Sequence, residues 1–162
     1  MSKNCNPFDE TKFEICQEYT DRRSIVSVKD DRAKSQYILG NTKRNLIVKL
    51  RVDNCLIKGS DKRKCDFLIL DCSDKIAYFI ELKGGDLSGA TDQIISTVDM
   101  LAPKLKNFQF CCRIIQTQTN RTTQTKYINK ITGHLKEKHK ANSQFKVADL
   151  IRIKSREYTE LI

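Results

Sequence analysis

The stretch CDFLILDCSDKIAYFIELK, residues 65–83, holds two short apolar runs, Asp66 to Cys72 and Ile76 to Lys83, broken by Ser73-Asp74-Lys75. Runs of this length, rich in branched and aromatic residues and bounded by turn formers, predict a hairpin of two buried strands. Alternation along the second strand puts Glu81 and Lys83 on one face and Leu82 on the other. With Ser73-Asp74 as a two-residue turn, Asp66 falls opposite Glu81; a longer turn would shift that register by about one residue. Facing residues of an antiparallel pair start about 4.5–5.5 Å apart at Cβ. Two carboxylates so placed repel each other unless a cation sits between them, and hard oxygen ligands suit magnesium or manganese.

Outward from the hairpin, Gly84-Gly85 ends the second strand, and Asp86 or Ser88 can cap the next element. Ala90, Ile94, Val98 and Leu101 repeat at helical spacing until Pro103, which predicts a helix. Before the hairpin, Leu46 to Val52 alternates apolar and charged residues and predicts a strand. After the helix, Phe108 to Ile115 predicts a core strand. Tyr127, Ile128, Ile131 and Leu135 mark a second amphipathic helix ending near His139, and Phe145 to Ile153 offers a final strand. At the other end, Phe13, Cys16 and Tyr19 predict a short helix within Phe8 to Arg23, and Lys29 to Asn45 reads as a long loop or poorly formed helix. The order predicts an α/β fold of one domain, residues 1–162, with helices packed on a sheet.

Hydrophobic residues at 39% and charged residues at 31% fit a globular chain rather than a disordered one. No apolar run approaches the length of a bilayer crossing, and the start lacks the apolar stretch of a signal peptide, so the expectation is a cytoplasmic protein without membrane association. The odd set of seven cysteines lacks a Cys-x-x-Cys pair, and His134 and His139 complete no zinc spacing, which predicts mostly reduced thiols. A net charge of +10 and a pI near 9.3 make nucleic acid the leading partner. From Lys104 to Lys140 the chain carries Lys104, Lys106, Arg113, Arg121, Lys126, Lys130, Lys136, Lys138 and Lys140 against one acid, Glu137. Lys126 and Lys130, four apart on one helix face, could follow a phosphate backbone, and Lys62-Arg63-Lys64 beside Asp66 would reach the same substrate.

A bare Glu-x-Lys triplet means little, since Glu10-Thr11-Lys12 is another; the second copy differs in closing a buried strand. Asp66, the hairpin, Glu81-Leu82-Lys83, Gly-Gly and a helix together resemble the PD-(D/E)XK nuclease superfamily over Leu46 to Leu101, with Cys65 in the place of the motif's proline. The resemblance implies a restriction-endonuclease-like core, a mixed central β-sheet flanked by helices. It also implies a Mg2+ ion, with Mn2+ as substitute, held by Asp66, Glu81 and the backbone carbonyl of Leu82. Lys83 would position or activate the attacking water, and Gln93 would sit near the centre from the following helix. Asp53, Glu14 and Glu18 are further candidate ligands or solvated charges. The implied activity is phosphodiester hydrolysis, most simply by a DNA endonuclease acting as a homodimer. The rival readings are an inactive nucleic-acid-binding or interaction subunit of the same fold, an RNA-directed nuclease, and a structural salt-bridge network of Asp66, Glu81 and Lys83.

Overall fold

The computed structural model describes residues 5–8, 14–29, 35–83, 86–116, 121–139, 149–152 and 157–162, and gives the backbone alone at 14, 121–124, 149–152 and 157. In chain order the elements are β1 (Gln17–Asp21), β2 (Ile25–Lys29), β3 (Gln36–Gly40), β4 (Ile47–Arg51), β5 (Phe67–Asp71), β6 (Ile76–Lys83), α1 (Leu87–Leu101), β7 (Gln109–Gln116), α2 (Arg121–Lys138), β8 (Asp149–Arg152) and β9 (Glu157–Leu161). A six-stranded sheet runs β1-β4-β5-β6-β7-β8, antiparallel as far as β6 and parallel from there to β8. A second sheet, β2-β3-β9, joins β2 to β3 antiparallel and β3 to β9 parallel. The fold is therefore α/β with mixed sheets.

The period of two in the strands sorts side chains into two cores. Leu68, Leu70, Ala77, Phe79, Phe110 and Cys112 face the helices, where Ala90, Ile94, Val98 and Leu101 of α1 and Ile131 and Leu135 of α2 meet them. Phe67, Ile69, Tyr78, Ile80 and Leu82 face the opposite way, onto Val26, Val28, Tyr37 and Leu39 of the small sheet. The large sheet is thus covered on both sides, and strands in that position read as near-continuous apolar runs. At the start of α1 the Asp86 carboxylate accepts the Gly89 N–H at 2.9 Å, which satisfies one of the orphan donors of the first turn.

Three readings of the sequence need correction. Phe8 to Arg23 holds no helix among its described residues beyond a 3-10 turn at Glu14–Cys16; strand β1 comes directly after it. Cys16 and Tyr19 share a helical spacing but belong to different cores with the sheet between them, a placement only an extended chain allows. Lys29 to Asn45 contains strand β3, whose neighbours are β2 and the distant β9. The expected tail strand is present as β8, but it is not the last: β9 follows it.

The thiols also depart from expectation. Cys5 is bonded to Cys72 and Cys16 to Cys55, with Cα–Cα separations of 5.4 and 5.5 Å, while Cys65, Cys111 and Cys112 are buried and lie outside these disulfides. Sequence spacing could not reveal these pairs, because each joins the amino-terminal segment to a loop of the sheet. No helix among the described residues is long and apolar enough to cross a membrane.

Candidate functional site

The β5–β6 hairpin fixes the relative position of the two acids. Phe67 faces Ile80 and Asp71 faces Ile76. The connection is four residues, Cys72 to Lys75, longer by one on each side than the expected turn, so the register is the one a two-residue turn would give. The Asp71 carboxylate accepts the N–H groups of Ser73 and Asp74, each at 3.0 Å, and Lys75 takes the left-handed conformation at φ 56°. At the other end of the strands the Asp66 N–H donates to Ile80 O at 3.1 Å, and Asp66 Oδ2 accepts the Leu82 N–H at 2.8 Å. Asp66 therefore stands across from Glu81 on the helix-facing side of the sheet. Leu82 turns its side chain into the other core, and the contact shown is its amide fixing Asp66.

Lys83, on the same face as Glu81, places its ammonium 3.5 Å from Glu81 Oε1 and donates to Gln93 Oε1 at 2.7 Å. Gln93 in turn donates through Nε2 to Lys64 O at 2.9 Å. One glutamine on α1 thus ties the end of β6 to the segment entering β5, with its amide orientation set by those two partners. Ahead of Asp66, the Cys65 N–H donates to Thr97 Oγ1 at 2.8 Å, a bond that a proline at this position could not form.

Glu81 is only 2% exposed, and its Oε2 has no hydrogen-bond partner among the described residues. Burial, and then the nearby charge of Asp66, push its carboxyl up to about 8, against the opposing pull of the Lys83 ammonium. A buried carboxylate with an orphaned oxygen, facing a second acid across a strand pair, is a donor set that a hard divalent cation would relieve. The residues present therefore fit magnesium or manganese.

No protein-family model matches the chain, and no curated protein or solved structure does either. What the chain does has to be read from the site itself.

Above this centre lies a cleft of about 320 Å³ lined by Lys62, Arg63, Lys64, Lys83 and Gln93, with Asp53, Asp86 and Gly89. Lys83, 30% exposed, is the side chain shared by the cleft and the acid pair. The cationic residues divide by burial. Lys64, expected to contact phosphate, is 8% exposed and its ammonium meets Asp53, Asn54 and the Gly59 carbonyl, so in this structure it braces the loop. Arg63 and Lys130 are exposed and grip the two oxygens of Asp92 at 2.6 and 2.9 Å, which brings α2 beside the cleft. Lys126 is exposed one turn away on α2. Arg113 adds nothing to the surface charge, because it is buried against Glu160.

The remaining acids separate likewise. Glu18 is held by Lys49 at 2.7 Å, and Lys49 lies over the Phe67 ring on the side of the small sheet, away from the centre. Asp53 is exposed and paired with Lys64. The side chain of Glu14, along with Gly84-Gly85 and the first Glu-x-Lys copy, lies outside the described residues. Sequence reading missed Gln116. Parallel pairing sets it beside Lys83 on the same sheet face, where it is buried with its Nε2 unpartnered among the described residues. Local spacing carries no signal for that, since parallel register across an intervening helix is fixed only by tertiary packing.

Proposed function

We propose that the chain is a metal-dependent nuclease of the PD-(D/E)XK kind, built on a restriction-endonuclease-like core and hydrolysing phosphodiester bonds, with DNA as its first substrate. The observation that carries this reading is the convergence of Asp66, Glu81 and Lys83 on one sheet face, with a buried, unpartnered Glu81 oxygen at its centre. Bound Mg2+ or Mn2+ would supply positive charge against the negative charge that builds on the transferring phosphate. Asp66 and Glu81 would hold that ion. Lys83 would orient the attacking water and offset charge at the phosphate, and Gln93 keeps its ammonium aimed at the centre. Lys62 and Arg63 at the cleft and Lys130 and Lys126 on α2 would draw the phosphate backbone across it. The homodimer belongs to the same proposal. Its support is the outer row of the small sheet, where Ile25 and Leu161 are 60% and 70% exposed on either side of Gly40.

The test is a panel of duplex, single-stranded and branched DNA and of RNA, incubated with Mg2+ and with chelator, for wild type and Lys83→Ala. Metal-dependent cutting that falls by about 10²–10⁴ in Lys83→Ala is expected. Cutting of RNA alone would move the reading to an RNA-directed enzyme, and no cutting of any substrate would leave an inactive binding subunit. Undiminished cutting in the variant would refute the site. A second expectation concerns Gln93→Ala, which frees the Lys83 ammonium and removes the bond to Lys64 O, while the Lys64–Asp53 pair still holds the segment that carries the cleft's other cations. Turnover should drop by about tenfold with KM nearly unchanged, and a rise in KM alone would place Gln93 in substrate binding instead.

A further inference from the structure

A second cluster of ligand-type side chains lies outside the acid pair. Asp99 of α1, His134 of α2 and His139, the residue after α2, bring their donor atoms within 4.8 Å of one another. Both imidazoles use Nε2 and both meet the same oxygen, Asp99 Oδ1, at 2.7 and 2.8 Å. The rings stand 5.9 Å apart, and His139 is set edge-on to Phe110 in the core, so its orientation is fixed from behind. The histidine side chains are 17% and 14% exposed, half-sheltered rather than solvated. Beside them runs an open groove of about 680 Å³ whose walls include Asp99, His134 and Glu137.

The two lone pairs of Asp99 Oδ1 accommodate both imidazole nitrogens, so three ligand-type atoms meet at one point. Two N–H groups converge on one acceptor where three ligand atoms could share one ion. Zinc is held at about 2.0–2.2 Å from imidazole nitrogen and carboxylate oxygen, so tetrahedral ligands sit roughly 3.3 Å apart, and sub-ångström shifts of the Asp99 carboxylate and the rings would admit an ion. Two imidazoles and one carboxylate favour zinc and its transition-metal neighbours over magnesium, which prefers all-oxygen coordination. The groove leaves a fourth position open to water.

We propose that Asp99, His134 and His139 form a transition-metal site, selective for zinc-like divalent ions, that clamps the C-terminal end of α2 onto α1. The clamp is chemically distinct from the acid pair of Asp66 and Glu81 and would hold α2, with Lys126 and Lys130, in place against the sheet. The histidines alone gave no zinc spacing in the sequence because the third ligand comes from the other helix.

Chelator-treated full-length protein, free of added thiols, is titrated with Co2+ at neutral pH and followed by visible absorption, with Zn2+ calorimetry in parallel. Expected is one Co2+ per chain with the intense visible band of tetrahedral coordination, unaffected by excess Mg2+ and displaced by Zn2+. Affinity should fall by about 100-fold or more in Asp99→Asn and in His134→Ala, at least the upper end of what losing a supporting contact costs, and should stay unchanged in Glu81→Gln. Asp99→Asn preserves shape, and circular dichroism of each variant separates loss of a ligand from loss of fold. Absence of the band in wild type, its persistence in Asp99→Asn, or its loss in Glu81→Gln alone would each overturn the proposal.

Discussion

Replacing Glu81 by glutamine is expected to abolish metal-dependent cleavage and, at the same time, to make the metal-free protein more stable. Under the proposed function the first effect would come from losing one of two anionic ligands; an ion's contribution of several kcal/mol at the transition state corresponds to a rate loss of about 10³-fold or more. The second comes from the cost that the wild-type carboxylate carries without an ion. Burial and Asp66 raise the Glu81 carboxyl from its ordinary 4.5 to about 8. Below 4.5 the group is protonated in both folded and unfolded chains and its favourable contribution is fully present. As pH rises from there the unfolded chain releases its proton while the folded chain keeps it, so stability declines until the folded carboxyl also ionises near 8, and the full penalty stands above that. The ceiling on that penalty is on the order of 3–5 kcal/mol. Glutamine escapes it, and Lys83, partly exposed and still bonded to Gln93, tolerates the lost ion pair. Thermal melts in chelator should show the variant's advantage opening between pH 4.5 and 8 and narrowing when Mg2+ is added to wild type. A variant less stable than wild type in chelator above about pH 8 would contradict the electrostatic account of the centre.

The second large effect is expected at the opposite face of the sheet. Arg113, with its side chain only 2% exposed, donates to both oxygens of Glu160 at 2.8 and 2.7 Å, and Tyr37 Oη donates to Glu160 Oε2 at 2.7 Å. Burial opposes a charged guanidinium there, but the two hydrogen bonds and the charge of Glu160 outweigh it and raise the Arg113 pKa further. Glu160→Ala strands that charge between the sheets, and breaking a buried pair from one side costs about 3–5 kcal/mol. For a chain of this size that means a fall in Tm of about 10 °C. Removing both charges, as Arg113→Met with Glu160→Met, should recover part of the loss, because no charge is then stranded and the remaining cost is that of the neutral Tyr37 hydroxyl losing its acceptor. Urea denaturation of wild type and the two variants measures this. A single-variant cost under about 1 kcal/mol would show that the pair is dispensable to the packing of the two sheets.

How far the sequence foretold this molecule depended on the range of the interactions. The hairpin from Asp66 to Lys83 and the helix capped by Asp86 are specified by near neighbours: turn formers, period-two alternation and a cap ahead of an apolar stripe. The acid pair and Lys83 inherited that legibility. Gln93 was placed correctly on α1, but its bond to Lys64 O required the tertiary fold. The small sheet was unreadable because β3 gains its place from β9 at the far end of the chain, and β1 was mistaken for a helix because Cys16 and Tyr19 serve two different cores. The basic residues show the same limit: composition counted Lys64 and Arg113 with the surface charge, while the structure commits both to internal partners. Asp99 joins two histidines across a helix pair, which no linear spacing encodes.

The disulfides carry a consequence for any attempt to load this protein with metal. Cys55 lies just after β4 and Cys72 just after β5, so Cys16 and Cys5 are fastened at opposite ends of the antiparallel β4–β5 pair. Phe8, between them, packs into the helix-side core. Ordinary thiol reductants would cut both links between the amino-terminal segment and the sheet, and they would also compete for zinc as sulfur ligands. A preparation kept in such a reductant would lose both cross-links and look metal-free for reasons unrelated to either candidate centre.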